Sequence, residues 1–190
     1  MGQECRTVGP AVGRVLAANR NYVEATRDAV RPASGRPALG LAVISCMDAR
    51  LTRLLPDALG LEDGDAAIVQ AAGATIVEPC GEVMRSLLVA IGELGVREVL
   101  VVGHTDCGTC GMRAEHLLGA LARAGSDARA LAEAEADREL MGRLAGFEHL
   151  EGEVADSVRA IREHPLVPRS VRVTGCTIDV VTGELTLVEA

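Results

Sequence analysis

The amino-acid sequence predicts an α/β fold: a mainly parallel β-sheet flanked by helices. The continuous apolar run 39–45 reads as a strand buried on both faces, which is how parallel strands read, and residues 96–103, with Val99-Leu100-Val101-Val102, read as another strand. Stretches with apolar residues at helical spacing alternate with them. The chain has 190 residues, 48% hydrophobic and 24% charged, enough for one domain with its own core.

The elements follow in order. Residues 9–31 read as a helix, with Val12, Val15, Leu16 and Val23 at helical spacing, before a break at Pro32, Gly35 and Pro37. The run 39–45 is the first strand and 66–70 a second, shorter one. Residues 81–94 have helical spacing and stop at Gly95, a good residue for a helix C-terminus. The strand 96–103 follows, centred on Val99, Leu100, Val101 and Val102. The Ala-, Leu-, Glu- and Arg-rich stretch 113–146 is expected to hold two helices parted near Gly125, with Ser126 or Asp127 capping the second. Residues 151–163 read as a helix ending before Pro165, and 170–177 and 185–188 as strands around the turn 179–183. No internal repeat or linker interrupts the chain, so 1–190 is expected to be a single domain.

Composition excludes several functions. Aromatics are limited to Tyr22 and Phe147, with no Trp, so the core is Leu, Val, Ile and Ala, and base-stacking platforms are absent. The net charge is −8 and all 19 basic residues are Arg. Without Lys there is no Schiff-base or P-loop lysine, and the acidic balance argues against nucleic acid or an anionic membrane as partner. No apolar run approaches the roughly 18 residues that span a bilayer, and the start lacks an apolar secretory core. Gly2 suggests myristoylation, but Arg6 stands where Ser or Thr is wanted. A cytoplasmic protein is expected, in which six cysteines are ligands, catalysts or core residues rather than a disulfide framework.

Two segments concentrate chemistry, each just after a strand: Ser45-Cys46-Met47-Asp48-Ala49-Arg50 and Gly103-His104-Thr105-Asp106-Cys107-Gly108-Thr109-Cys110. In open α/β sheets ligands bind beyond the carboxyl ends of strands. If the two strands are neighbours, Cys46, His104 and Cys107 meet. Two thiolates and an imidazole suit tetrahedral zinc, and three protein ligands leave a fourth position open, the mark of catalytic zinc. Such an ion can hold a water, lower its pKa and deliver hydroxide to an electrophilic carbon. Two thiolates cancel the ion's formal charge, which weakens that acidification and makes a nearby base more valuable. Alternate residues of an extended stretch face one way, so Asp48 and Arg50 are expected to point toward the metal with Cys46. Arg50 can clamp Asp48 through its planar fork; unclamped, Asp48 could ligate the ion and shut the site. Taken singly, Cys46 reads as a buried small residue, His104 as a satisfied core histidine and Asp48 with Arg50 as a structural ion pair; together they favour zinc.

At these residues the sequence resembles the β-class carbonic anhydrases, in particular their compact microbial branch. The family's Cys-x-Asp-x-Arg segment is matched by Cys46, Asp48 and Arg50, and its His-x-x-Cys segment by His104 and Cys107, with Gly103 before and Gly108 after. Ala72 and Gly73 match part of a Gly-containing segment, and His164 to Pro168, Gly175 and 179–185 resemble the closing portion. The resemblance implies zinc-dependent, reversible hydration of carbon dioxide to bicarbonate. It implies zinc on Cys46, His104 and Cys107, with Asp48 and Arg50 as the catalytic dyad and Gly73 and Gly108 near substrate. It also implies a homodimer or higher assembly, in which an N-terminal helical arm, 1–37, packs on a neighbouring subunit. Some members have an inactive form in which the matching Asp, here Asp48, ligates zinc. Others hydrolyse carbon disulfide or carbonyl sulfide. The chain departs from the family where Gln70 and Ala71 replace a basic residue and Asn, where Cys176 replaces an aromatic, and at Cys110.

Two rivals remain. Cys107-Gly108-Thr109-Cys110 is a Cys-x-x-Cys pair and suits a thiol redox protein, although Cys46, Asp48 and Arg50 then have no part. A zinc-holding, non-catalytic relative is the other. Elsewhere, Cys110 is expected as a small core residue on the next helix, Cys80 as packed at a helix start and Cys5 as incidental. His116, His149 and His164 are expected at the surface or an interface, and Asp106 as a helix cap or an orienting partner for a zinc ligand.

Overall fold

A computed structural model describes residues 9–26 and 34–190. These fall in two units, divided after Ala33. In the first, α1 (Pro10–Ala25) starts on a proline at its N-terminus, where a missing N–H costs nothing, and buries none of its residues. The expected extension to residue 31 lies outside the described residues.

The second unit is built on a five-stranded sheet in the order β2-β1-β3-β4-β5. The strands are β1 (Leu41–Cys46), β2 (Ala66–Ala71), β3 (Glu98–His104), β4 (Arg172–Ile178) and β5 (Leu185–Val188). The first four pair in parallel; β5 returns antiparallel on the β4 edge. β1 and β3 are the apolar runs because nearly all of their residues are buried; β4 also lies between two strands but leaves Arg172 and Thr174 exposed. The expected α/β fold with a mainly parallel sheet is the one observed.

The helices divide between the faces. α3 (Glu82–Gly92) and α7 (Leu150–Glu163) pack Met84, Leu87, Val154, Val158 and Ile161 against Ala42, Ile44, Val99, Val101 and Val173. On the other face α2 (Leu51–Leu59) sets Leu51 and Leu55 against Val43, Val102 and Ile178. The sequence spacing assigns no element to α2, which carries Pro56, a residue that ordinarily breaks a helix. The stretch 113–146 forms three helices rather than the expected two: α4 (Ala114–Arg123), α5 (Ala128–Ala136) and α6 (Arg138–Leu144). Asp127 caps α5 as expected, but Asp137 makes a second break, its carboxylate accepting from the N–H groups of Glu139 and Leu140.

α7 lies so close to the sheet that glycine is required beneath it. A methyl group at Gly175 of β4 would sit 2.7 Å from Val154 Cγ1 and 3.1 Å from Val158 Cγ2. Gly175→Ala is therefore expected to overpack this layer and destabilise the protein by about 1–3 kcal/mol. Urea unfolding checks this as a lower midpoint at unchanged slope; an unchanged midpoint would mean that α7 shifts freely.

Candidate metal centre

β1 and β3 are adjacent and parallel, with Ser45 opposite Val102, so both end at the same margin of the sheet. Cys46 closes β1 and His104 closes β3; Cys107 follows in the next loop. One ligand atom from each of the three lies within 4.8 Å of the others, and all three residues are buried. The two sulfurs are 4.0 Å apart. Thiolates about 2.3 Å from one tetrahedral ion stand about 3.8 Å from each other, so the pair is spaced for a shared ion.

The imidazole is prepared for the same role. Nδ1–H of His104 donates to the Thr105 carbonyl at 2.8 Å. That fixes the tautomer and leaves a lone pair on Nε2, which is buried and has no hydrogen-bond partner. A buried nitrogen without a partner is costly, and a cation on it removes the cost. Burial pushes the Cys46 thiol up from its ordinary pKa, so the thiolate needs a positive neighbour. One hydrogen-bonding group helps each sulfur carry charge. The Gly73 N–H donates to Cys46 Sγ at 3.3 Å, and the Thr109 hydroxyl lies 3.0 Å from Cys107 Sγ. Gly73 is left-handed, at φ 71°, in a short 3-10 turn (Ala72–Ala74) after β2. A methyl there would press to 2.8 Å on the hydroxyls of both Thr75 and Thr109. The donor set and its spacing fit zinc.

Beside the three ligand atoms lies an acid–base pair. Arg50 Nε donates to Asp48 Oδ1 at 3.0 Å and Nη2 to Oδ2 at 2.8 Å, a planar two-point clamp. The Arg50 backbone N–H also reaches Asp48 Oδ1, at 2.9 Å. The side-chain and backbone hydrogen bonds from Arg50 hold the Asp48 carboxyl well below the usual carboxylate range. Asp48 Oδ2 is 4.0 Å from His104 Nε2. The carboxylate is thus next to where an ion on Nε2 would sit, and held as an acceptor.

Other expectations are corrected. Cys110 is an exposed residue in an isolated parallel bridge to Phe147 rather than a core residue of a helix; its Sγ lies 3.6 Å from the Glu148 carbonyl, and α4 begins only at Ala114. Asp106 does not cap α4, which begins only at Ala114; it accepts hydrogen bonds from Arg50. Cys80 is exposed, not packed. His164 is buried, not at the surface, with Nε2–H donating to the Pro79 carbonyl and Nδ1 accepting from the Leu166 N–H. Gly108 is exposed with open space around it, whereas Gly73 is buried against Cys46. Gln70 turns its amide to the Cys46 carbonyl at 3.2 Å. Cys5 lies outside the described residues. The sequence reading missed Thr109, Phe147 and Gly146. Gly146 backs directly onto the Thr109 carbonyl, and the Gly111 N–H donates to the Phe147 carbonyl at 2.7 Å, pinning the ligand loop. A glycine and the chain's one Phe side by side were the available signal. Among the described residues no helix is long and apolar enough to cross a membrane.

Comparisons with known proteins agree with this geometry. A family model described as "Carbonic anhydrase" matches residues 41–185. "Putative carbonic anhydrase YvdA" of Bacillus subtilis is 41% identical over 92% of this chain and 89% of its own length. A carbon disulfide hydrolase of Acidithiobacillus thiooxidans is 30% identical, over 76% of this chain and 75% of its own. Among solved structures, the β-carbonic anhydrase isoform I of Trichomonas vaginalis superposes with a TM-score of 0.84 at 27% identity, covering 95% of this chain and 98% of that one.

Removing an outer hydrogen bond to a metal ligand costs about 10–100-fold in affinity. Thr109→Val is therefore expected to weaken zinc binding at least tenfold. Competition with a chromophoric chelator measures it, and an unchanged affinity would remove Thr109 from the centre.

Proposed function

The chain belongs to the β-carbonic anhydrase family, and on that premise we propose that it catalyses the reversible hydration of carbon dioxide to bicarbonate. Zinc is the cofactor, held by Cys46, His104 and Cys107, and Asp48 and Arg50 are the catalytic pair. The observation that carries the reading is the convergence of two sulfurs and an unpartnered imidazole nitrogen, with a clamped carboxylate 4.0 Å from that nitrogen.

When bound, zinc supplies Lewis acidity that makes a water molecule acidic and fixes its position. The chain's residues do the rest. Cys46, His104 and Cys107 would hold the ion through three buried donors and would leave room for solvent on it. Asp48 stays ionised across the physiological range, so it accepts a hydrogen bond and orients that water rather than donating a proton. Arg50, engaging both Asp48 oxygens, would keep the carboxylate from binding the ion itself. The Gly73 N–H supports the sulfur of Cys46, and Gly73 adds no side chain of its own there.

Carbon disulfide is the second substrate to test, because a relative carries that activity in its name and a linear, electrophilic carbon makes the same demands on the site. A homodimer is also part of the proposal. α1 exposes Val12, Val15, Leu16, Tyr22 and Val23, an apolar stripe that suits a helix packed on a second copy.

Stopped-flow hydration of carbon dioxide with a pH indicator tests the activity. It is expected to need zinc, to vanish on chelation and to return with added zinc. Asp48→Ala is expected to lower kcat about 100-fold while zinc stays bound. Activity that survives chelation and is lost on replacing Cys110 would favour the dithiol reading instead. Light scattering checks the assembly: twice the chain mass is expected, and a monomer would count against the role given to α1.

A further inference from the structure

We propose that Asp106 is a positioning residue for the reaction: it holds Arg50, and through Arg50 the Asp48 carboxylate, in register with the metal centre. The proposal rests on the hydration reading above, but its geometry stands alone. Arg50 makes two sets of hydrogen bonds. Nε and Nη2 grip Asp48, as described. On the opposite side Nη1 donates to Asp106 Oδ2 at 2.7 Å and Nη2 to the Asp106 carbonyl at 2.8 Å. The guanidinium is thus held between two carboxylates that belong to different ligand-bearing segments.

An exposed ion pair alone would be worth little, and the Asp106 side chain is 82% exposed. The backbone says more. Asp106 is left-handed, with φ 53°, one of two non-glycine residues with positive φ among the described residues. That conformation is uncommon for a residue with a side chain, and is kept where surrounding structure enforces it. Here it goes with a carbonyl and a carboxylate that both face Arg50. The flanking residues are anchored as well. The Thr105 N–H donates to the Ile178 carbonyl at 3.0 Å, the Thr105 hydroxyl accepts from the Val180 N–H at 3.1 Å, and its carbonyl takes the His104 ring proton. Asp106 is therefore a fixed post on the β3 side, and Arg50 is a strut from that post to Asp48. Without it, a guanidinium paired with Asp48 alone is free to swing with the carboxylate as one body. Asp48 then loses its aim at the fourth coordination direction.

Two substitutions separate this role from simple stabilisation. Asp106→Gly removes the carboxylate while accepting the left-handed backbone at no steric cost. Asp106→Asn keeps an acceptor and tolerates the same backbone. With the zinc-loaded protein, Asp106→Gly is expected to lower kcat roughly tenfold with KM and melting temperature little changed, as misalignment does. Asp106→Asn is expected to recover most of that loss. In an Arg50→Ala background Asp106→Gly is expected to add nothing, because the two act as one unit. Visible absorption of the cobalt-loaded protein gives a readout independent of turnover: Asp106→Gly is expected to change the bands, because a released Asp48 carboxylate alters the ion's surroundings. The proposal is overturned if kcat is kept while melting temperature falls, if the Arg50 and Asp106 effects add, or if the cobalt bands stay as they were. If the parent protein does not hydrate carbon dioxide, the functional reading fails, and the cobalt bands still decide the claim about Asp106.

Discussion

Parallel pairing of β1 with β3 is the constraint on which the centre depends. It brings two strand ends to one margin of the sheet, so that Cys46 and Cys107, 61 positions apart, stand with sulfurs 4.0 Å from each other. A slip of one residue would turn Cys46 to the opposite face and break the set. The pairing is protected by burial on both sides: α2 presses Leu51 and Leu55 on one face, and α3 and α7 close the other. Packing far from the site thus fixes where Cys46 and His104 stand.

The electrostatics of the centre follow from that burial. The buried Cys46 thiol resists ionisation and the buried His104 ring nitrogen leaves a lone pair unmet, and one divalent cation would meet both deficits. The Gly73 N–H and the Thr109 hydroxyl share the negative charge on sulfur. Asp48, only a few ångströms from the His104 ring nitrogen, stays a carboxylate because Arg50 is bound to it. Buried ligands and a half-exposed acid–arginine pair are therefore adjacent zones with different roles.

Much of this was legible in the amino-acid order. Continuous apolar runs identify β1 and β3 because parallel strands are covered twice, and Cys46, Asp48, Arg50, His104 and Cys107 can be read because each motif directly follows such a run. What stayed hidden depends on contacts between distant segments. Pro56 masks α2, whose helix is carried by the burial of Leu51 and Leu55. Asp137 breaks a stretch whose composition gives no warning. Asp106 suggests a cap until its backbone is seen in the left-handed region, and Thr109 is an ordinary hydroxyl until Gly146 and Phe147 press its loop against the sulfur.

The stitching of that loop has a wider consequence. The chain leaves the centre after Gly111 and comes back at Gly146, and the two points are tied by the Gly111 N–H on the Phe147 carbonyl and the Gly146 N–H on the Met112 carbonyl. Between these ties run α4, α5 and α6, and neither α5 nor α6 buries a residue. Once the neck of such an excursion is fastened, extra residues beyond it cost little entropy. The α5–α6 segment is therefore where the length of the chain can drift, or a new surface be grafted, while the chemistry at the neck goes on undisturbed.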